Sequence, residues 1–190
     1  MIRLFRTGLV AVALALLAAC TGATVGGTGT TSIDRFHPDV AQYVVSMGPI
    51  PTVIEGNPST LPAETFRAIT LKRLALEGGY AAHSFAINPQ PAPRHNYRVV
   101  LLFNPTDRLI SEDAICRGEG GTYSQPQGEL YLRGAFCLRG ESQASGFVKA
   151  PAPAAFDSEV YSRFLAQLMV NMMPLRDPRA QDITCSRPAC

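Results

Sequence analysis

The chain has 190 residues, 46% of them hydrophobic, with 17 Lys and Arg against 15 Asp and Glu. That is enough apolar material for one buried core and too little charge for a disordered chain, and 16 Gly with 15 Pro at no fixed period exclude collagen. A formal net charge of +2 leaves no electrostatic footprint for nucleic acid, so none is expected as a partner.

The N-terminus places Arg3 and Arg6 ahead of an apolar run from Thr7 to Ala19. The run is about a dozen residues, which suits the core of a signal peptide and falls short of the roughly 20 that a membrane-spanning helix needs. It ends in Leu17-Ala18-Ala19-Cys20, which resembles a bacterial lipobox. The resemblance implies that residues 1–19 are a lipoprotein signal peptide and that the Cys20 sulfur takes a diacylglyceryl group. Cys20 then becomes the mature N-terminus and the membrane is a partner through its acyl chains, palmitate-like in kind. An ordinary secretory signal with a chance cysteine, or a short buried helix, is the bland alternative. Thr21, where an aspartate would hold a lipoprotein back, implies by the same resemblance an outer-membrane anchor facing the periplasm. Cleavage removes both of those arginines and leaves fifteen basic against fifteen acidic groups. A neutral mature domain has no electrostatic reason to hold an anionic surface. Attachment rests on acyl chains, each buried CH₂ contributing about 0.8 kcal/mol.

Thr21 to Ser32 is almost all Gly and Thr, with no apolar face. Residues 20–32 therefore read as the lipidated Cys plus a flexible tether, whose twelve residues would reach roughly 17–21 Å. A single globular domain is expected over 33–190.

Val40, Tyr43, Val44 and Met47 fall at helical spacing between Pro38 and Gly48, predicting a short helix, with a strand as the alternative. Ile50 to Glu55 reads as an edge strand, because Pro51 cannot donate to a ladder. Gly56-Asn57-Pro58 is a turn. A second helix is predicted over Thr60 to Glu77, capped by Thr60 and stopped by Gly78-Gly79. Its stripe of Phe66, Ile69 and Leu76 is imperfect. Tyr80 to Ile87 alternates weakly as a strand, and the proline-rich Asn88 to Arg94 is a loop. Tyr97 to Phe103 is apolar on both faces, which predicts a central strand. Glu129 to Arg139 alternates over its whole length. Leu130, Leu132, Gly134, Phe136 and Leu138 share one face; Glu129, Arg133, Cys137 and Arg139 share the other, expected to be wet. A turn at Arg139 to Ser142 leads into a strand over Ala144 to Lys149. A final helix is predicted over Asp157 to Met172, with Asp157 as cap, Phe156 and Tyr161 as a staple, and Val160, Phe164, Leu168 and Met172 on the core stripe. The order argues for an α+β fold, a mainly antiparallel sheet with helices packed on one face.

Four cysteines follow Cys20, an even count that implies disulfides in an exported domain. Of three connectivities, Cys116–Cys137 with Cys185–Cys190 is favoured. The first would close a loop of about 20 residues, stabilising by roughly 3 kcal/mol. A zinc site would need thiolates kept reduced outside the cytoplasm and has no CxxC pair to start from.

Chemistry is harder to find. His37, His83 and His95 are scattered. Arg94, His95 and Arg98 form a basic cluster that could hold a phosphate or carboxylate, although a solvated strand entrance is the plainer reading. Gly118-Glu119-Gly120-Gly121 lacks a following helix pattern and reads as a mobile loop. Asp107, Glu112 and Asp113 lack a second carboxylate element for glycosidase geometry, and Ser111-Glu112-Asp113 reads as turn or helix-start chemistry. No serine-nucleophile, phosphate-loop, dinucleotide or zinc-protease motif is present, so no catalytic residue, metal or cofactor is expected.

Ile50 to Pro58, Tyr97 to Pro105, Cys116 and Ala135-Phe136-Cys137 together resemble a group of small proteobacterial lipoproteins. Those motifs are structural in character, and the group has no assigned activity to carry over. The reading is an outer-membrane lipoprotein acting as a non-enzymatic envelope accessory or binding module, with an envelope protein as its partner. A cell-envelope hydrolase with a dispersed active site is the alternative, and a purely structural lipoprotein is a third.

Overall fold

A computed structural model of the chain describes residues 27–33 and 35–176. The elements are β1 Gly27–Ser32, α1 Pro38–Ser46, β2 Ile50–Glu55, α2 Ala63–Glu77, β3 Phe85–Ala86, β4 Tyr97–Phe103, α3 Glu112–Arg117, β5 Glu129–Leu138, β6 Glu141–Pro151 and α4 Glu159–Met172. The strands make one six-stranded sheet in the order β1-β6-β5-β4-β2-β3. β1–β6, β6–β5 and β5–β4 pair antiparallel, whereas β4–β2 and β2–β3 pair parallel. The fold is α+β with a mainly antiparallel sheet.

β4 lies between β5 and β2 and is buried on both faces. Val99, Leu101 and Phe103 join the larger core with Phe66 and Phe136 and with Tyr161, Phe164 and Leu168 of α4. Val100 and Leu102 point to the opposite face, where they meet Ile115 and Cys116 of α3 with Ala135 and Cys137 of β5. Helices therefore cover both faces, α1, α2 and α4 on one and α3 on the other, which corrects the expectation of one helical face. The face of β5 expected to be wet is dry along its middle, where Arg133 is 5% exposed and Cys137 fully buried, and reaches solvent only at its ends, Glu129 and Arg139. Polar identity misled the reading, because Arg133 finds its partners inside the protein.

The stretch expected as a tether is in part a strand. Gly27–Ser32 runs along β6, with Gly27 opposite Lys149 and Thr30 opposite Gly146. An edge strand needs backbone partners on one side, and the β-branched threonines suit extended backbone, so the absent apolar face did not forbid it. The signal peptide, Cys20, the first half of the expected tether, Cys185 and Cys190 lie outside the described residues.

Smaller differences have local causes. β3 pairs with Ile50 and Pro51 of β2, so β2 is outermost only from Thr52 onward, and the strand expected over Tyr80 to Ile87 shrinks to two residues. α2 begins after Pro62 with no side-chain cap, so Thr60 does not cap it. Its buried stripe is Phe66, Thr70, Leu74 and Ala75, and Leu76 is exposed. Thr70 is tolerated there because its hydroxyl donates back to the Phe66 carbonyl and shares a 2.8 Å hydrogen bond with the Tyr161 hydroxyl. α4 is capped by Ser158, whose Oγ accepts from the Tyr161 N–H, rather than by Asp157. Phe156 and Tyr161 still meet, ring to ring, at 5.1 Å.

Candidate functional site

β2 and β4 run parallel and end side by side, and the chain leaves β2 through Glu55 and Gly56. Gly56 takes a positive φ of 79°, and a Cβ there would overlap the carbonyl oxygen of Phe103 at the end of β4. The turn is held by Asn57, whose amide donates to the Leu61 carbonyl at 2.8 Å and whose Oδ1 accepts from Ser59. A cleft of about 330 Å³ opens between this turn and the first turn of α2, lined by Glu55, Gly56, Asn57, Phe66, Arg67 and Tyr123.

Two of these lining residues are joined: the Tyr123 hydroxyl donates to Glu55 Oε2. Gly120 closes over this pair so tightly that a side chain there would meet both the hydroxyl and the carboxylate. Within the glycine-rich segment expected as a mobile loop, Gly120 is thus buried against this pair, while Gly118, Glu119 and Gly121 are exposed. Burial first, then the hydrogen bond to Glu55 and the carboxylate's charge, hold the Tyr123 phenol well above the ordinary tyrosine range. It stays a protonated donor at neutral pH. Arg67 is engaged by Glu64 at 2.7 Å on the rim. The titratable side chains of the cleft are Glu55, Arg67 and Tyr123, with no serine, cysteine or histidine among its lining residues. A carboxylate with lone pairs to spare, beside a phenol that will not ionise, accepts donors from a polar ligand. It does not make a nucleophile with its base.

The cysteines nominated by sequence divide. Cys116 and Cys137 are joined, with Cα atoms 5.6 Å apart, and both are buried between α3 and the sheet. Cys20, Cys185 and Cys190 fall outside the described residues. Arg94, His95 and Arg98 are not gathered into one site. Arg94 is exposed, Arg98 reaches the Cys116 carbonyl on the α3 face, and His95 turns back to accept from the Tyr97 N–H at 3.3 Å. The three carboxylates have structural partners: Asp107 accepts from the Leu109 N–H, Glu112 pairs with Arg133, and Asp113 accepts from the Ser142 N–H. Ser111 accepts from the Ala114 N–H as the cap of α3, as its sequence context implied. His37 and His83 are exposed. Among the described residues no group of three or more His, Cys, Asp or Glu could hold a metal.

Sequence reasoning missed Glu55 and Tyr123. The signal available was two breaks of Gly, one after β2 and one before Tyr123, where backbone must pass close to something. Their mutual contact spans 68 positions and leaves no local pattern.

No protein-family model matches the chain, and no curated protein matches it. Among solved structures, a point variant of the PelC dodecamer from Paraburkholderia phytofirmans is similar over 80% of this chain and 100% of its own, at 15% identity and a TM-score of 0.43. A second PelC dodecamer from the same organism is similar over 77% of this chain and 97% of its own, at 12% identity and a TM-score of 0.42. Similarity at this level says nothing about activity.

Proposed function

We propose that this chain is a lipoprotein anchored through Cys20 in the outer membrane, facing the periplasm, where it serves as a non-enzymatic accessory or binding module. The observation that carries the reading is the N-terminal order of Arg3 and Arg6, an apolar run, and Leu17-Ala18-Ala19-Cys20. The resemblance of the β2, β4 and β5 segments to small proteobacterial lipoproteins supports it. So does a disulfide between Cys116 and Cys137, since such bonds persist in oxidising compartments. The cleft at Glu55 and Tyr123 is the module's binding feature, and its chemistry favours a ligand or partner group that donates hydrogen bonds.

The test begins with the mature chain isolated from membranes. Its intact mass carries a diacylglyceryl and acyl increment on Cys20, and Cys20→Ser moves the protein to the soluble fraction. Native pull-down then recovers an envelope partner that is lost with Glu55→Gln or Tyr123→Phe. An uncut, unacylated chain in the cytosol overturns the anchor. Turnover of a peptidoglycan or ester substrate that Glu55→Gln abolishes replaces the binding role with a hydrolase.

A further inference from the structure

Leu109 is 92% exposed, the most exposed of the large hydrophobic side chains among the described residues. Its backbone is nevertheless fixed. The Leu109 N–H donates to Asp107 Oδ1 at 2.8 Å, and the carbonyls on either side of it, Arg108 and Ile110, both accept from the buried Arg133 guanidinium. Ile110 is tucked into the α3 side of the sheet. The chain is pinned on both flanks, and the leucine is held outward between them.

Its surroundings connect to the start of β1. The Arg108 guanidinium lies 4.8 Å from the Tyr131 ring centre and 3.4 Å from Glu129, and Glu129 lies 4.0 Å from Lys149. Lys149 stands opposite Tyr131 on one side and opposite Gly27 on the other. With strands about 4.8 Å apart, Gly27 and Tyr131 are separated by about 10 Å across the sheet. Leu109, its cations and the first residue of β1 therefore share one end of the sheet. Cys20 precedes Gly27 by seven residues, a span of at most about 25 Å even when fully extended. Because β1 draws the chain into the sheet, an acylated Cys20 keeps this end close to the bilayer.

We infer that this end of the sheet is a membrane-contacting edge. Leu109 enters the boundary between headgroups and acyl chains, and Arg108 and Lys149 meet phosphate oxygens beside it. Arg108 and Lys149 stand against two carboxylates, Glu129 and Asp107, so the edge is neutral overall, and what it offers a phosphate layer is two partly exposed basic side chains beside the leucine. A leucine at a fixed loop tip with flanking basic side chains is the arrangement an interfacial anchor needs. The inference rests on the lipid anchor proposed above and adds an orientation to it.

The full lipidated chain, reconstituted into phosphatidylethanolamine vesicles containing phosphatidylglycerol, tests it. An environment-sensitive fluorophore is placed at Leu109→Cys and, as control, at Tyr43→Cys on α1, with the parent chain's own labelling subtracted. Both positions are exposed, so the substitutions leave the core intact. The expected result is a blue shift at position 109 on vesicles and solvent-like emission at position 43. Solvent-like emission at both positions, on protein that co-sediments with vesicles, overturns the edge and leaves the anchor standing. A shift at 109 that appears only at high protein density on the vesicles marks a second copy as the occupant and also overturns it. Failure to co-sediment, with no acyl mass on Cys20, removes the anchor and the edge together.

Discussion

Removing the buried disulfide tests the account of the α3 face directly. Cys116 and Cys137 are 21 positions apart, and closing that loop stabilises the native state by about 3.3 kcal/mol in the chain-entropy model. Both cysteines are fully buried, so replacing them with alanine also forfeits packing, at about 0.8 kcal/mol for each methylene-sized group lost. The double variant Cys116→Ala with Cys137→Ala is therefore expected to lose about 5 kcal/mol. At about 2–4 °C per kcal/mol for a domain of this size, its Tm falls by about 10–20 °C. Thermal unfolding by circular dichroism measures the shift, with a non-reducing peptide map of the parent confirming the bond. Hydrogen exchange adds a spatial readout. α3 has only six residues, too few to persist alone, so its amides should lose protection before those of β4 and β5. A fall of less than about 3 °C, with α3 still protected, would show that packing alone holds that helix.

Three further outcomes are expected. Arg133→Met strips donors from the Arg108 and Ile110 carbonyls and leaves Glu112 unpaired, and a loss of about 2–4 kcal/mol in urea unfolding checks it. Gly56→Ala and Gly120→Ala should separate stability from the site. The first places a Cβ against the Phe103 carbonyl at positive φ and costs about 2 kcal/mol or more. The second presses chiefly on the Tyr123 hydroxyl and the Glu55 carboxylate, with the Leu102 side chain 3.2 Å away. Its readout is a Tyr123 phenol that titrates nearer the ordinary tyrosine range, at a smaller cost in stability than Gly56→Ala because no backbone atom is overlapped. Finally, burial pushes Tyr80 up to about 12 and raises Tyr161 as well, while the unfolded chain ionises near the ordinary value of 10.0. Above that pH the native state binds more protons than the unfolded one. Stability is therefore full below pH 10 and falls as pH climbs toward 12, Tyr80 alone contributing about 1.4 kcal/mol per unit. Guanidinium midpoints that hold steady between pH 9 and 11 would contradict this.

What could be read from the sequence was whatever is set by neighbours along the chain. Tyr97 to Phe103 announced a strand buried on both faces, because every residue after Arg98 is apolar and nothing polar needed a home. The core stripe of α4 was legible for the same reason at Phe164, Leu168 and Met172, whereas Val160, read onto the same stripe, is exposed in the helix's first turn. Arg133 was not, since a guanidinium on a strand reads as solvent-facing unless its acceptors are known, and those come from carbonyls more than twenty positions away. The strand at Gly27–Ser32 was hidden because an edge strand takes its order from β6, over a hundred residues later. Glu55 and Tyr123 were invisible individually, each being ordinary until the other is placed beside it.

The uneven burial on the two faces of the sheet explains where the unusual features sit. Among the described residues, the larger core joins twenty-five buried apolar side chains on the α1, α2 and α4 face, against eight on the α3 face. Burial at about 25 cal/mol per Å² cannot hold a six-residue helix and two long connections with so few groups. Other devices take over there: a disulfide, a buried guanidinium holding two carbonyls, the Ser111 cap, and a left-handed glycine closing α3 at Gly118. A connection fixed by point contacts, rather than by packing, can hold side chains outward without losing its shape. Both Gly120, which packs on the Glu55–Tyr123 pair, and the leucine tip at 109 lie on these connections. The same economy that leaves this face thin in core is what lets it hold Tyr123 against Glu55 at the end of β2 and present Leu109 in a fixed position.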